Sequence, residues 1–316
     1  MNKSQKIWVA TLSSFGILAL AMVLQANSSK NEAADVTLAN PTQFSDHYRI
    51  TTPPIPTKVT FCDEVVPLSD FEVKERLEKE VLVNTYWQSS TMLMLKRTKR
   101  YFPMIDRVLL EEGVPSDFKY LAMAESGLAD AVSSSGAEGI WQFMKSTALS
   151  YDLNVTTEID ERYHLEKATR AACKYLKHSK EQLGSWTLAA AAYNRGLAGV
   201  KRDLRNQSVE SYFDLRMNSE TSRYVFRIIA LKLITEKSAD YGFVLEKNDY
   251  YYPVPSYQLL VDSTIISLPE FAKAHGTTYK IIRILNPWLN DDHLTIGAGK
   301  SYLLTMPLLL AVKADE

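Results

Sequence analysis

Apolar residues recur at three- and four-residue steps from Ser69 to about residue 245, as Leu77, Val81, Leu82 and Tyr86 illustrate. Such spacing places one apolar stripe on each successive helix. Strand-like alternation is nearly absent from the same stretch. The sequence therefore predicts a mainly α domain over residues 67–245.

A shorter, mixed pattern comes after the segment NDYYYPVPSY at residues 248–257, whose prolines among aromatic residues indicate a domain boundary. YQLLVD and KSYLLTMP are typical of strands, and LPEFAKAHG and TYKIIRILN between them are typical of helices. We therefore expect a small β-α-α-β domain over residues 246–316.

The first 26 residues differ from the rest of the chain. Lys3 and Lys6 precede an apolar run from Ile7 to Ala26, and about 20 apolar residues can span a bilayer. Positive residues before such a run predict a cytoplasmic amino terminus and export of the chain beyond the run. We expect residues 1–26 to be a signal peptide or, if uncleaved, an inner-membrane anchor. The protein would then be periplasmic, in the cell envelope.

The next segment, residues 27–66, is rich in Ser, Asn, Thr and Pro and shows no sustained period. Such a composition buries little apolar surface. The sequence predicts a linker here, although Phe61, Val65 and Val66 could pack on the next domain.

Charge and cysteine usage exclude several classes of function. Lys and Arg together number 36 against 37 for Asp and Glu, so nothing favours a nucleic-acid partner. Cys62 and Cys173 lie far apart, and we favour two free thiols over a disulfide. The five histidines are scattered, which predicts neither a metal site nor a cofactor.

The stretch most informative about chemistry is residues 120–151, where Glu125 ends a predicted helix before a loop of small residues. A glutamic acid partly buried by apolar neighbours can stay protonated near neutral pH, as glycosidic bond cleavage requires. Trp141, Tyr151 and Tyr193 offer faces for sugar stacking. Gln142 and Asn194 offer amide donors to acetamido groups, but each of these residues also has an ordinary structural interpretation.

The segment ESGLADAVSSSGAEGIWQFM, with AAAYNRG about fifty residues later, resembles the catalytic signature of the soluble-lytic-transglycosylase family. The resemblance implies a goose-type-lysozyme-like fold whose single glutamate cuts peptidoglycan glycan strands. It implies that Glu125 is the catalytic acid/base and that Ser126 is its adjacent support. Carried over in the same way, the substrate-lining positions are Gly139, Gln142, Tyr193 and Asn194.

The same resemblance implies a nonhydrolytic cut between N-acetylmuramic acid and N-acetylglucosamine, which leaves a 1,6-anhydro end. The carboxy-terminal unit resembles a LysM module through FAKAHG, TTYKIIRILNPWL and GKSYLLTMP. This implies a second contact with glycan, although a folded appendage is an equally good interpretation.

Two alternative functions stay open. Lysozyme-type hydrolysis of the same bond would generally need a second carboxylate, and the sequence offers candidates at Asp130, Glu138, Glu158 and Asp160. A noncatalytic scaffold could also grip glycan strands without cutting them. A serine or metallopeptidase is disfavoured because GxSxG and HExxH are absent from the sequence. The sequence indicates no protein partner.

Overall fold

A computed structural model of the chain describes residues 50–308, so the predicted signal or anchor at residues 1–26 lies outside the described residues. Ten α-helices lie within this range. They are α1 Phe71–Tyr86, α2 Gln88–Glu111, α3 Phe118–Ser126, α4 Lys145–Ser150, α5 Leu165–Leu183, α6 Trp186–Arg195, α7 Leu197–Gln207, α8 Ser219–Glu236, α9 Leu268–Ala274 and α10 Tyr279–Leu285. The strands are β1 Thr60–Phe61, β2 Glu64–Val65, β3 Ser256–Val261 and β4 Tyr302–Pro307. The predicted mainly α class is confirmed.

None of the helices between residues 50 and 308 is both long enough and apolar enough to cross a membrane.

A short hairpin occupies the end of the predicted linker. Strands β1 and β2 pair antiparallel, and Phe61 and Val66 are buried in the main core. The Glu64 carboxylate accepts hydrogen bonds from the backbone N–H groups of Trp186 (2.6 Å) and Thr187 (2.9 Å), which satisfies free donors at the start of α6. Val59 is also buried, so the chain packs on the folded core from within the segment predicted to be a linker.

Helix α8 is central to the helical part of the molecule and packs against α1, α3 and α6. Apolar side chains occupy several of its faces, as expected of a helix surrounded by protein. Its buried apolar residues are Tyr224, Val225, Phe226, Ile228, Ile229, Ala230, Leu231 and Ile234. This helix therefore fixes the position of any side chain that it presents toward α1 or α3.

The carboxy-terminal unit has the predicted β-α-α-β order. Strands β3 and β4 pair antiparallel over their whole length, from Ser256 with Pro307 to Val261 with Tyr302. The amide of fully buried Asn286 joins α10 to β4, since its Nδ2 donates to the carbonyl of Thr305 (2.9 Å) and its Oδ1 accepts from the N–H of the same residue (2.7 Å). The unit has its own hydrophobic core.

This carboxy-terminal unit is attached to the helical part through main-chain hydrogen bonds. The N–H of Asp160 donates to the carbonyl of Trp288 (2.8 Å), and the N–H of Asn290 donates to the carbonyl of Glu158 (2.7 Å). Ile159 lies between these two bonds and is buried in the core of the carboxy-terminal unit. These two hydrogen bonds and the buried Ile159 side chain connect the carboxy-terminal unit to the helical part.

Candidate active site

Glu125 lies in the last turn of α3, a helix that buries Phe118, Leu121 and Ala122 in the core. The helix ends at Gly127, which has a φ of 61° and whose N–H donates to the carbonyl of Met123 (2.9 Å). Glycine adopts this left-handed conformation without the penalty that a Cβ brings. Glu125 is partly buried, so the carboxyl group lies at the edge of the core where the chain turns away.

Tyr224, on α8, holds this carboxyl group. Its hydroxyl donates a hydrogen bond to Oε1 of Glu125, and its side chain is only 4% exposed. Sequence reasoning missed Tyr224, because its spacing along α8 marks it simply as a core residue.

The environment shifts the pKa of Glu125 upward from its ordinary value near 4.5 to about 7. Burial is the largest cause, because it disfavours the charged form. The hydrogen bond from Tyr224 and the charge of Arg227 lower the pKa, and the charge of Glu220 raises it. Both protonation states are therefore populated near neutral pH, so the group can donate a proton and can also accept one.

Replacing Tyr224 with Phe should raise the pKa of Glu125 further, because the hydrogen bond favours the carboxylate form. NMR titration of the ¹³C-labelled Glu125 carboxyl group measures the shift. Tyr175→Phe is the control, since the Tyr175 hydroxyl donates instead to the carbonyl of Ala192 (2.7 Å). A pKa that falls or stays constant in Tyr224→Phe would show that the hydrogen bond does not stabilise the charged group.

Arg162 organises the loop that comes after Glu125, residues 127–144. It is 5% exposed and pairs with the Asp160 carboxylate (2.5 Å) and with Glu138 (3.1 Å). Its guanidinium also donates to the carbonyls of Gly136 and Phe143, both at 3.3 Å. The guanidinium thus ties two separated points of the loop together. Nothing in the sequence distinguished this arginine from a surface charge.

Gly139 and Gln142 shape the loop from within. Gly139 is buried and has a φ of 78°. Gln142 also has a positive φ, 49°, and its Nε2 donates to the carbonyls of Ala131 (2.9 Å) and Gly139 (2.7 Å). Both amide hydrogens of Gln142 are therefore used inside the protein, contrary to the expectation that they donate to a sugar.

Ser126 and Asn194 also have partners within the protein. The hydroxyl of Ser126 donates to the carbonyl of Ala122 (3.2 Å), so the hydrogen bond to Glu125 comes from Tyr224 instead. Asn194 Nδ2 donates to Glu220 (3.1 Å), and its Oδ1 accepts from the Thr221 hydroxyl (2.8 Å). Asn194 thus joins the end of α6 to the start of α8.

Of the three aromatic residues of the predicted site, one is fully buried and two are partly buried. Trp141 is 0% exposed, and its indole N–H donates to the Thr169 hydroxyl (2.9 Å), so the prediction that Trp141 stacks on sugar is wrong. Tyr193 is partly buried, and its hydroxyl donates to the carbonyl of Trp141 (2.9 Å). The partly buried Tyr151 contacts Tyr175, whose ring contacts Tyr193.

The carboxylates proposed from the sequence as second acids mostly have structural partners. Glu138 and Asp160 pair with Arg162. Glu158 accepts from the N–H of Thr295 in the carboxy-terminal unit (2.7 Å), and Asp130 is exposed. The carboxylate whose charge acts on Glu125 is instead Glu220, which the sequence did not single out.

Potential metal ligands are few in the part of the chain that the structure describes. Asp291, Asp292 and His293 place ligand atoms within 4.8 Å of one another, but they lie in the carboxy-terminal unit, and exposed acidic groups of this kind are common without an ion. Cys62 and Cys173 are buried free thiols, as predicted.

Two protein-family models match parts of the chain. The model of the transglycosylase SLT domain matches residues 107–215, and the model of the soluble lytic transglycosylase C-terminal LysM-like domain matches residues 257–309. Residues 107–215 are thus similar to an SLT domain. The SLT match contains Glu125 and its loop, whereas α1 and α8, with Tyr224, lie outside the matched range. The LysM-like match coincides with the β-α-α-β unit.

Two curated relatives are similar to most of this chain. Membrane-bound lytic murein transglycosylase D of Escherichia coli (strain K12) is 25% identical over 246 residues, which cover 76% of this chain and 52% of the relative. The protein of the same name from E. coli O6:H1 matches to the same extent. This chain thus spans about half the length of the relatives, to which it is homologous.

A solved structure of an inactive mutant of lytic transglycosylase Slt from Pseudomonas aeruginosa aligns with 21% identity. The alignment covers 48% of this chain and 26% of that chain, with a TM-score of 0.35, which is too low to compare the folds in detail.

Proposed function

We propose that this protein is a peptidoglycan lytic transglycosylase with Glu125 as its acid/base. The observation that supports the proposal most is one partly buried carboxyl group, with a pKa of about 7, held by Tyr224 at the end of α3 inside the matched SLT range. The domain match and the homologues support the reaction class.

In the first proposed step, protonated Glu125 donates its proton to the oxygen that bridges N-acetylmuramic acid and N-acetylglucosamine. The C1–O bond breaks, N-acetylglucosamine leaves as an alcohol, and positive charge develops on the muramyl ring. Burial favours this step, because it keeps a fraction of the carboxyl groups protonated near neutral pH.

In the second step, the Glu125 carboxylate takes the proton of the muramyl C6 hydroxyl while that oxygen bonds to C1. The product is a 1,6-anhydro end, and Glu125 regains its proton, so no water is consumed. One carboxyl group serves both steps, and the Tyr224 hydroxyl stabilises its charged form between them.

Lysozyme-type hydrolysis is the second candidate, and Glu220 is the observation that favours it. Its charge acts on Glu125, and its side chain is exposed beside Asn194. A carboxylate in that position could orient an attacking water molecule. A lytic transglycosylase needs no such group.

The location and partners are part of the same proposal. Membrane-bound lytic murein transglycosylase D is membrane-bound by name, and the apolar amino-terminal run of this chain is consistent with a place in the cell envelope. We propose that peptidoglycan glycan strands are the substrate and that the LysM-like domain provides a second contact with them. The membrane becomes a partner if the amino-terminal segment is uncleaved.

The test is to incubate the full chain with purified sacculi and to analyse the released muropeptides by mass spectrometry. Muramyl ends that lack one water molecule are the expected result. Hydrated reducing ends would establish the hydrolase instead. Sacculus binding without any released product would contradict both enzymatic proposals and favour a scaffold.

A further inference from the structure

A short stretch of the helical part, residues 155–160, reaches into the carboxy-terminal unit and is called the bridging segment below. It folds back on itself, since Val155 and Asp160 form an isolated antiparallel bridge. Ile159 is 6% exposed, and its side chain belongs to the hydrophobic core of the carboxy-terminal unit. The backbone of Ile159 also forms an antiparallel bridge with Leu289 of that unit. The bridging segment therefore gives the carboxy-terminal unit both a core side chain and a main-chain partner.

Polar contacts at the tip of the bridging segment add to this attachment. The carbonyl of Glu158 accepts from the N–H of Asn290 (2.7 Å), and its Oε2 accepts from the N–H of Thr295 (2.7 Å). Nδ2 of Asn290 donates to the carbonyl of Thr157 (3.1 Å). All three donors belong to the carboxy-terminal unit, so a displacement of that unit would break several hydrogen bonds together.

Asp160 connects this attachment to the loop of residues 127–144. Its N–H donates to the carbonyl of Trp288 in the carboxy-terminal unit (2.8 Å). Its buried carboxylate accepts from Nε (2.9 Å) and Nη2 (2.5 Å) of Arg162, whose guanidinium also binds two carbonyls of the loop. One residue thus bonds the carboxy-terminal unit through its backbone and the centre of the loop through its side chain.

The loop of residues 127–144 is also connected to the candidate active site. It begins directly after α3, the helix that carries Glu125. Within the loop, the carbonyl of Trp141 accepts from the Tyr193 hydroxyl (2.9 Å). Burial and, after it, the charge of Glu125 raise the pKa of Tyr193, so Tyr193 lies within electrostatic reach of Glu125. The position of the loop therefore bears on the surroundings of the proposed acid/base.

We propose that the carboxy-terminal unit orders this loop for cutting: it holds the bridging segment, whose Asp160 positions Arg162 and, through Arg162, the loop of residues 127–144. A buried charge that loses its partner is strongly unfavourable, so the buried guanidinium follows the carboxylate, and the loop follows the guanidinium. The effect on cutting rests on the proposed function, whereas the ordering of the loop does not. This role of the carboxy-terminal unit is independent of any contact that it makes with glycan.

Ile159→Ala tests the coupling in the full chain, because it weakens the attachment to the carboxy-terminal core and leaves Asp160 and Arg162 in place. Backbone amides of residues 127–144 should exchange with deuterium about tenfold faster than in the unmodified protein, while those of α8 keep their protection. On sacculi, kcat should fall about fivefold with a smaller change in KM, since the lost contact positions the loop. Loss of a glycan contact alone would instead raise KM and leave kcat unchanged.

Ile265→Ala is the matched control. Ile265 is also 6% exposed and lies in the same core, but its bridge partner, Leu294, belongs to the carboxy-terminal unit itself. A similar cavity made outside the bridging segment should change exchange in the loop by less than about twofold. Ile159→Val keeps most of the side chain and should restore both loop exchange and kcat to within about twofold of the unmodified protein.

Glu158→Ala is a milder variant that keeps the test decisive if Ile159→Ala does not fold. The Glu158 side chain is partly exposed, and its loss removes the hydrogen bond from Thr295. Exchange in the loop of residues 127–144 should rise about threefold. Unchanged loop exchange in this variant would overturn the proposal.

Two further outcomes would also overturn the proposal. One is equal acceleration of loop exchange in Ile159→Ala and Ile265→Ala while β3 and β4 stay protected, because the bridging segment would then not be the connection. The other is faster loop exchange with an unchanged kcat. If the unmodified protein does not cut sacculi, the proposed function fails, and loop exchange alone then decides whether the carboxy-terminal unit orders the loop.

Discussion

Glu125→Gln should decrease the rate of release of anhydro-muropeptides from sacculi by about a hundredfold to ten-thousandfold, the range by which general acid–base groups accelerate reactions. Glutamine keeps the size of the side chain and can still accept the hydrogen bond from Tyr224. It cannot donate a proton to the bridging oxygen at an appreciable rate. Mass spectrometry of the released fragments measures the loss, and sedimentation with sacculi should show that binding is retained.

Stability measurements distinguish loss of chemistry from loss of fold in this variant. Burial raises the pKa of Glu125 from 4.5 to about 7 in the folded protein, so the folded state binds this proton more tightly than the unfolded state. The corresponding part of the free energy of unfolding is present at low pH and is lost as pH rises from about 4.5 to 7. Glutamine does not ionise, so the free energy of unfolding of Glu125→Gln does not fall in this pH range for this reason. The variant should therefore resist urea at pH 8 at least as well as the unmodified protein.

Glu220→Gln is the matched comparison for Glu125→Gln, because it removes the carboxylate whose charge raises the pKa of Glu125. In a lytic transglycosylase this change should lower that pKa and move the alkaline limb of the pH–rate profile to lower pH, with a modest change in maximal rate. A collapse of activity comparable to that of Glu125→Gln would instead assign Glu220 to hydrolysis. Normal cutting by Glu125→Gln would remove Glu125 as the catalyst.

Periodicity was sufficient to predict the mainly α class and the β-α-α-β unit. The last strand occupies Tyr302–Pro307 within the predicted KSYLLTMP. Local signals suffice for such elements, because backbone propensity and one buried face determine them. The hairpin at Thr60–Val65 was assigned to the linker because it is stabilised by distant partners, among them the first turn of α6.

The position of Glu125 at a helix end was predictable, and its surroundings were not. Tyr224 and Glu220 lie about a hundred residues further along the chain, on or at the start of α8. Sequence spacing does not reveal which residues of a distant helix reach a given carboxyl group. The same limit explains Trp141, since a buried tryptophan and one that stacks on sugar look alike in sequence.

Gly139→Ala should destabilise the protein more than any other single exchange of glycine for alanine in the loop of residues 127–144. A Cβ at this position would lie 2.1 Å from the carbonyl oxygen of Arg162, and the residue has a φ of +78°. The clash involves backbone, which cannot move aside without disturbing the pairing of the Arg162 side chain with Asp160 and Glu138. We expect a loss of about 3 kcal/mol or more in the free energy of unfolding.

Gly136→Ala isolates the steric part of that effect, because Gly136 has a φ of +82° but nothing within 4 Å of an added Cβ. It should cost only about 1–2 kcal/mol, the penalty for a left-handed residue with a side chain. Urea unfolding of the two variants in parallel gives the difference. Equal losses would mean that the close approach of Gly139 to Arg162 does not stabilise the loop. A much larger loss in Gly139→Ala means that residue 139 must be glycine for the loop of residues 127–144 to pack against the backbone of Arg162.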